Sequence, residues 1–215
     1  MSGSIPRREF LWTAALAATA LQAQQPTGLA VRYRTEPALI ARMLPPGFSA
    51  ADAPEVQVEF AADASWARIL LAGRYGEKEG WLPVAVWTST DRDRFVAREG
   101  IGLGATHADI AVSADGGRVA VNGETVLELT AGPGGEDALP ADDRPLLFIL
   151  FSANEDWTQG EPSGAGDVVE LNWPATATTA IDPSTVQLKW LQPSPSHPAS
   201  ELPVREIPSA WKSAP

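Results

Sequence analysis

Cysteine is absent from the 215-residue chain, which rules out disulfides and thiolate metal sites. It leaves the redox compartment open, since a thiol-free protein persists on either side of a membrane. Histidine occurs only at His107 and His197, in unlike contexts and with no D-x-D-x-[DN]-G loop to add oxygen ligands, so no metal site is expected. Basic residues are outnumbered 16 to 27 by acidic ones, giving a formal net charge of −11. That field repels phosphate backbones, and nucleic acid is excluded as an expected partner. No apolar run reaches the roughly 20 residues that a bilayer span needs. Phosphate loops, serine nucleophile elbows and dinucleotide fingerprints are also missing. The glycines of AREGIGLG lead into strand-like sequence rather than the helix an anion-binding turn requires, so no cofactor is expected.

The composition, 44% hydrophobic and 20% charged, is that of an ordinary globular domain. Its first residues stand apart. In PRREFLWTAALAATALQA, Arg7 and Arg8 precede Phe10, Leu11 and a short alanine-rich apolar run, with small residues at Ala18, Ala20 and Ala23. This is the form of a twin-arginine export signal. The expectation is a signal peptide over 1–23, a single domain over 24–215, and a bacterial periplasmic or secreted product that meets a membrane only through the export machinery.

Strand patterns dominate the remainder. Glu36-Pro37 followed by Leu39, Ile40, Met43 and Leu44 predicts one short helix, stopped by Pro45-Pro46-Gly47. PEVQVEFAA alternates Val56, Val58 and Phe60 with Gln57 and Glu59, a strand with one wet or functional face. HADIAVS, GRVAVN and ETVLELT predict an antiparallel meander, with Asn122-Gly123 as a two-residue hairpin turn. GPGGEDALPADD predicts a solvated loop, EKE and DRDR predict hairpin tips, and PVREIPSAWKSAP predicts a tail after a proline-rich connector. The fold class expected is mainly β, closing as a barrel or packing as a sandwich, with few short helices. Eight tryptophans mostly flank the strands, filling the core or lining a cavity for an apolar ligand.

Several segments together resemble the acetoacetate decarboxylase family: VRYRTEPALIARMLPPGF, VQVEF, AREGIGLGATHADI, RPLLFILF and LPVREI, in that order from about Ala30 to Ser209. The resemblance implies an antiparallel, cone-like β barrel with a buried pocket, a small-molecule ligand such as a keto acid or an apolar carboxylate, and a homo-oligomer. It also implies a reactive pair. In the family, the first of two adjacent lysines forms a Schiff base with the keto acid and the second helps keep it neutral, acetoacetate decarboxylase being the standard example of that activation. The family's R-E-x-x-G-x-P-K-K-x-A, aligned with Arg98, Glu99, Gly102, Gly104 and Ala108, puts Ala105 and Thr106 at the lysine positions. Neither side chain can form an imine, so decarboxylation by the family route is not expected. The family's first acid aligns with Glu59 and its second with Arg68, while its arginine before the first strand aligns with Pro26.

Three lysines are present elsewhere. Lys78 lies between glutamates that favour its charged form, Lys189 alternates with Val186, Leu188 and Trp190 onto a solvent face, and Lys212 sits near the end. The candidate site is therefore Glu59, Arg68, Arg98, Glu99, Ala105, Thr106 and His107. Three readings follow: a ligand-binding protein without decarboxylase activity; an enzyme of altered chemistry (lyase, hydratase, isomerase or hydrolase) using His107, Glu59 and Arg68, with His107 as base and Glu59 or Asp109 as its orienting carboxylate; or a decarboxylase that acts through Lys189 or another route. The plainer reading of His107 is a solvated strand residue, and Arg98 with Glu99 reads as an ion pair organising its loop.

Overall fold

The computed structural model describes residues 28–95, 97, 104–138, 144–150, 167–171, 178–191 and 198–213. The expected signal peptide lies outside the described residues, as do Arg98, Glu99, Trp157, Trp173 and His197. In chain order the strands are β1 (Leu29–Arg34), β2 (Phe48–Ala50), β3 (Glu55–Phe60), β4 (Trp66–Tyr75), β5 (Lys78–Thr88), β6 (Ala105–His107), β7 (Asp109–Ser113) and β8 (Gly116–Val121). They continue as β9 (Glu124–Thr130), β10 (Gly134–Ala138), β11 (Leu146–Leu150), β12 (Asp167–Leu171), β13 (Thr178–Ile181), β14 (Gln187–Trp190) and β15 (Glu206–Ser213). Helix α1 (Pro37–Met43) follows β1, and the short α2 (Asp91–Phe95) follows β5.

Period-two alternation builds the larger sheet. Leu29, Val31 and Tyr33 of β1, Val56, Val58 and Phe60 of β3, and Ala67, Ile69 and Leu71 of β4 enter one buried apolar cluster. The residues between them face the other way. Helix α1 starts at Pro37, whose missing N–H costs nothing in a first turn, and it buries Ile40 completely while Leu39 and Met43 pack against the cluster.

The larger sheet runs β10-β13-β15-β1-β3-β4-β5-β11-β12, with β2 on β4 and β6 on β5, and the smaller runs β14-β9-β8-β7. The predicted meander is β7-β8-β9 of the smaller sheet. Its second hairpin turns at Asn122 and Gly123 with φ of 53° and 82°, the left-handed pair that a type I′ turn needs. This sheet covers the apolar face of the larger one. Val119, Leu127 and Leu129 join the cluster, and Gly117 lies so close to Phe60 that a Cβ would stand 2.8 Å from the ring.

Several elements depart from expectation. The larger sheet is mixed rather than wholly antiparallel, since β5 pairs in parallel with β6 and β11. Each parallel pairing follows a long crossover, as it must, because a tight hairpin returns a strand antiparallel. The sheet path does not close into a barrel among the described residues. Part of GPGGEDALPADD is not loop but β10, an edge strand on β13, where pairing along one side tolerates glycine. The supposed tail is β15, held between β1 and β13 with Ala210 buried opposite Val31. EKE does lie at the β4–β5 hairpin tip, whereas DRDR forms α2, started by Thr90 Oγ1 accepting from the Asp93 N–H at 3.1 Å.

Candidate ligand-binding face

The face of the larger sheet turned away from the apolar cluster carries Arg32 on β1, Glu55, Gln57 and Glu59 on β3, and Trp66, Arg68 and Leu70 on β4. These residues are linked. Arg32 donates from Nε and Nη2 to Gln57 Oε1 at 3.3 and 2.9 Å. Gln57 Nε2 donates to Glu59 Oε1 at 2.6 Å, and Arg68 Nε donates to the other oxygen, Glu59 Oε2. A buried amide thus joins one guanidinium to the carboxylate of an ion pair. The Arg68 and Glu59 side chains keep only 12% and 17% of their exposure, so both are held by these partners rather than by bulk water.

Indole rings line the same face. Arg32 stands 5.0 Å from the Trp81 centroid and 5.3 Å from that of Trp211. Arg144, just before β11, stands 4.2 Å from Trp81 and donates from Nη2 to Glu55 Oε2 at 2.9 Å. Arg68 lies 4.7 Å from the Trp66 centroid. Such contacts hold planar cations in place where little water competes. The β5–β11 junction that positions Arg144 is tight: Trp81 N–H donates to Pro145 O at 2.8 Å, and a Cβ on Gly80 would stand 2.5 Å from that oxygen. Gly80→Ala is expected to cost about 1–3 kcal/mol by forcing the strands apart. Chemical denaturation measures it, and an unchanged midpoint would refute the close approach.

Strand register places the remaining candidates. Ala30, Glu59, Arg68, Val86 and Ala105 are successive partners across β1, β3, β4, β5 and β6, so their side chains share one face. Ala105 is buried on that face, two strands from Arg68. Thr106 pairs with Trp87 of the apolar cluster and lies on the opposite side. His107 returns to the face of Glu59 and Arg68 in the row Trp66–Thr88–His107, but it is exposed and separated from Glu59 by β4 and β5. The structure therefore brings together Glu59, Arg68 and Ala105, and it does not join His107 to Glu59. Among the described residues, no group of three or more His, Asp or Glu side chains could hold a metal.

The family model for acetoacetate decarboxylase (ADC) matches residues 12–212. The chain belongs to the acetoacetate decarboxylase family. Solved structures share its fold at low identity. The enduracididine biosynthesis enzyme MppR, complexed with the condensation product of pyruvate and imidazole 4-carboxaldehyde, is 15% identical, with 86% of this chain and 82% of that one covered and a TM-score of 0.59. Acetoacetate decarboxylase from Legionella pneumophila subsp. pneumophila str. Philadelphia 1 is 16% identical over 87% and 80%, with a TM-score of 0.57. An acetoacetate decarboxylase-like enzyme from Sphingomonas wittichii RW1 is 16% identical over 86% and 85%, with a TM-score of 0.57. Comparison with curated proteins gives no match.

Within this acetoacetate decarboxylase fold, the lysines lie away from the polar face that carries Arg32, Glu59 and Arg68. Lys78 and Lys189 are exposed, and Lys78 pairs with Glu170 at 2.8 Å. Lys212 donates from Nζ to the Ala114 and Gly132 carbonyls on the other side of the sheet. Arg32, Gln57, Trp66, Trp81, Arg144 and Trp211 were not singled out as site residues by the sequence. The signal available was polar Arg32 and Gln57 interleaved with Val31, Tyr33, Val56 and Val58, which marks strands with one apolar face and one polar face.

Proposed function

We propose that this member of the acetoacetate decarboxylase family binds a small carboxylate or lipophilic acid without forming an imine, and therefore without decarboxylating a keto acid. The observation that carries the reading is the row Glu59–Arg68–Val86–Ala105. The position where the family's amine is expected holds a methyl group in the same cross-sheet row as a part-buried ion pair. A decarboxylation needs an electron acceptor for the pair released with carbon dioxide, and a protonated imine is the family's acceptor. No lysine on the ligand face is available to make one. What remains is a partly desolvated face with guanidinium groups and indole rings, suited to an anionic head and an apolar body. That MppR is complexed with a pyruvate-derived condensation product supports room in this fold for an acid larger than pyruvate.

Export through the twin-arginine route belongs to the same proposal, resting on Arg7, Arg8 and the apolar run after them. The ligand would then be met in the periplasm or outside the cell. Incubation with acetoacetate and borohydride, followed by intact-mass measurement, tests the chemistry. The expected result is an unchanged mass together with stabilisation by acids in a thermal-shift titration. A mass gain matching a reduced imine, or release of carbon dioxide by the purified protein, would overturn the reading.

A further inference from the structure

We propose that Trp66 and Arg68 form an anion subsite taking the carboxylate of an acid whose apolar body lies along Leu70, Val86 and Ala105. The inference rests on the ligand-binding reading above and adds the chemical class of ligand and the atoms that recognise it. Its starting point is an unmet donor. Trp66 Nε1 is buried and has no hydrogen-bond acceptor among the described residues. Leaving such a group unmet is costly, and native proteins rarely keep one without a ligand, ion or water to meet it.

The surroundings say what would meet it. Trp66 and Arg68 are two residues apart on β4 and share the ligand face, and the Arg68 guanidinium lies 4.7 Å from the indole centroid. Glu59 holds Arg68 through Nε, which fixes the guanidinium plane against the ring. A carboxylate at the indole edge accepts the Nε1 hydrogen and sits in the field of that cation, where burial strengthens both terms. A neutral group gains only the first.

The body of the ligand follows from the neighbours. Leu70 and Ala105 are buried and Val86 is half-buried, yet none belongs to the cluster between the sheets. Arg68 and Ala105 are separated by two strand spacings, about 10 Å, which suits a chain of several carbons. No amine stands in this row to engage a ketone, so the keto group of an acetoacetate-like acid gains nothing. The preferred ligand is a monocarboxylate with an unsubstituted apolar chain.

Calorimetry with hexanoate, its neutral counterpart hexanamide, and acetoacetate on the full chain decides the matter. Hexanoate is expected to bind at least tenfold more tightly than hexanamide or acetoacetate, and Trp66→Phe, which keeps a ring under Arg68 but removes the donor, is expected to weaken hexanoate about tenfold and hexanamide by less, since a neutral carbonyl accepts the same hydrogen in a weaker bond. Equal hexanoate affinity in wild type and Trp66→Phe overturns the subsite while leaving the ligand-binding reading intact. Tighter binding of acetoacetate than of hexanoate overturns the apolar body. If Trp66→Phe does not fold, the wild-type comparison still decides, because equal affinity for hexanoate and hexanamide overturns an anion subsite. Failure of every acid to bind overturns the ligand-binding reading itself, and the subsite with it.

Discussion

Ala105→Lys is expected to give the protein an imine it does not now form: incubation with pyruvate and borohydride should add the mass of the reduced adduct, where the wild type shows none. The expectation comes from register. Residue 105 shares a cross-sheet row with Val86, Arg68 and Glu59, so a lysine there projects its amine onto the proposed ligand face. Two effects push that amine towards its neutral, nucleophilic form. Ala105 is 8% exposed, and burial disfavours an ammonium; the Arg68 cation, two strands away, disfavours it further. Glu59 opposes them, but its carboxylate already accepts from Arg68 and Gln57. Thr106→Lys is the control, since residue 106 faces the apolar cluster through Trp87 and should give no adduct even where it folds. A folded Ala105→Lys protein that stays unlabelled would show that position 105 is not open to a ligand.

Glu59→Ala is expected to destabilise the protein by about 3 kcal/mol, read as a lowered midpoint in chemical denaturation. The substitution removes one carboxylate with two donors on it. Arg68 loses the acceptor of its Nε, and Gln57 loses the acceptor of its amide, both in a region with little water to replace them. The change also frees Gln57, which holds Arg32 between the Trp81 and Trp211 rings. Damage should therefore spread along the face rather than stay at one residue. The double variant Glu59→Leu with Arg68→Leu is expected to recover most of the loss, because two apolar side chains leave no buried charge. If Glu59→Ala alone leaves the midpoint unchanged, the ion pair is solvated and the interior character assigned to this face is wrong.

The sequence disclosed local features better than long-range ones. Asn122-Gly123, Pro37 and the alternation of Val56, Val58 and Phe60 each carry their instruction within a few residues, and all three appear as expected. The two parallel pairings of β5 and the central place of β15 depend on chain segments far apart, and no periodicity records which distant strand will pair. The site divides along the same line. Glu59, Arg68 and Ala105 were reached through a family resemblance and stand in one row. Thr106 comes from the same resemblance, as the position of the second lysine, but neighbours on a strand point to opposite sides. Arg144 reaches Glu55 from 89 positions away, a meeting that only the folded sheet makes.

The single sheet that divides two interiors has a cost for misfolding. Sliding β3 by one residue against its neighbours would drive Gln57 and Glu59 into the space filled by Val56, Val58 and Phe60, and would strand those apolar groups among guanidinium ions. Neither side could tolerate the exchange. The polar face therefore acts as a proofreader of strand alignment, and a molecule that has folded at all has Gln57, Glu59 and Arg68 already in register.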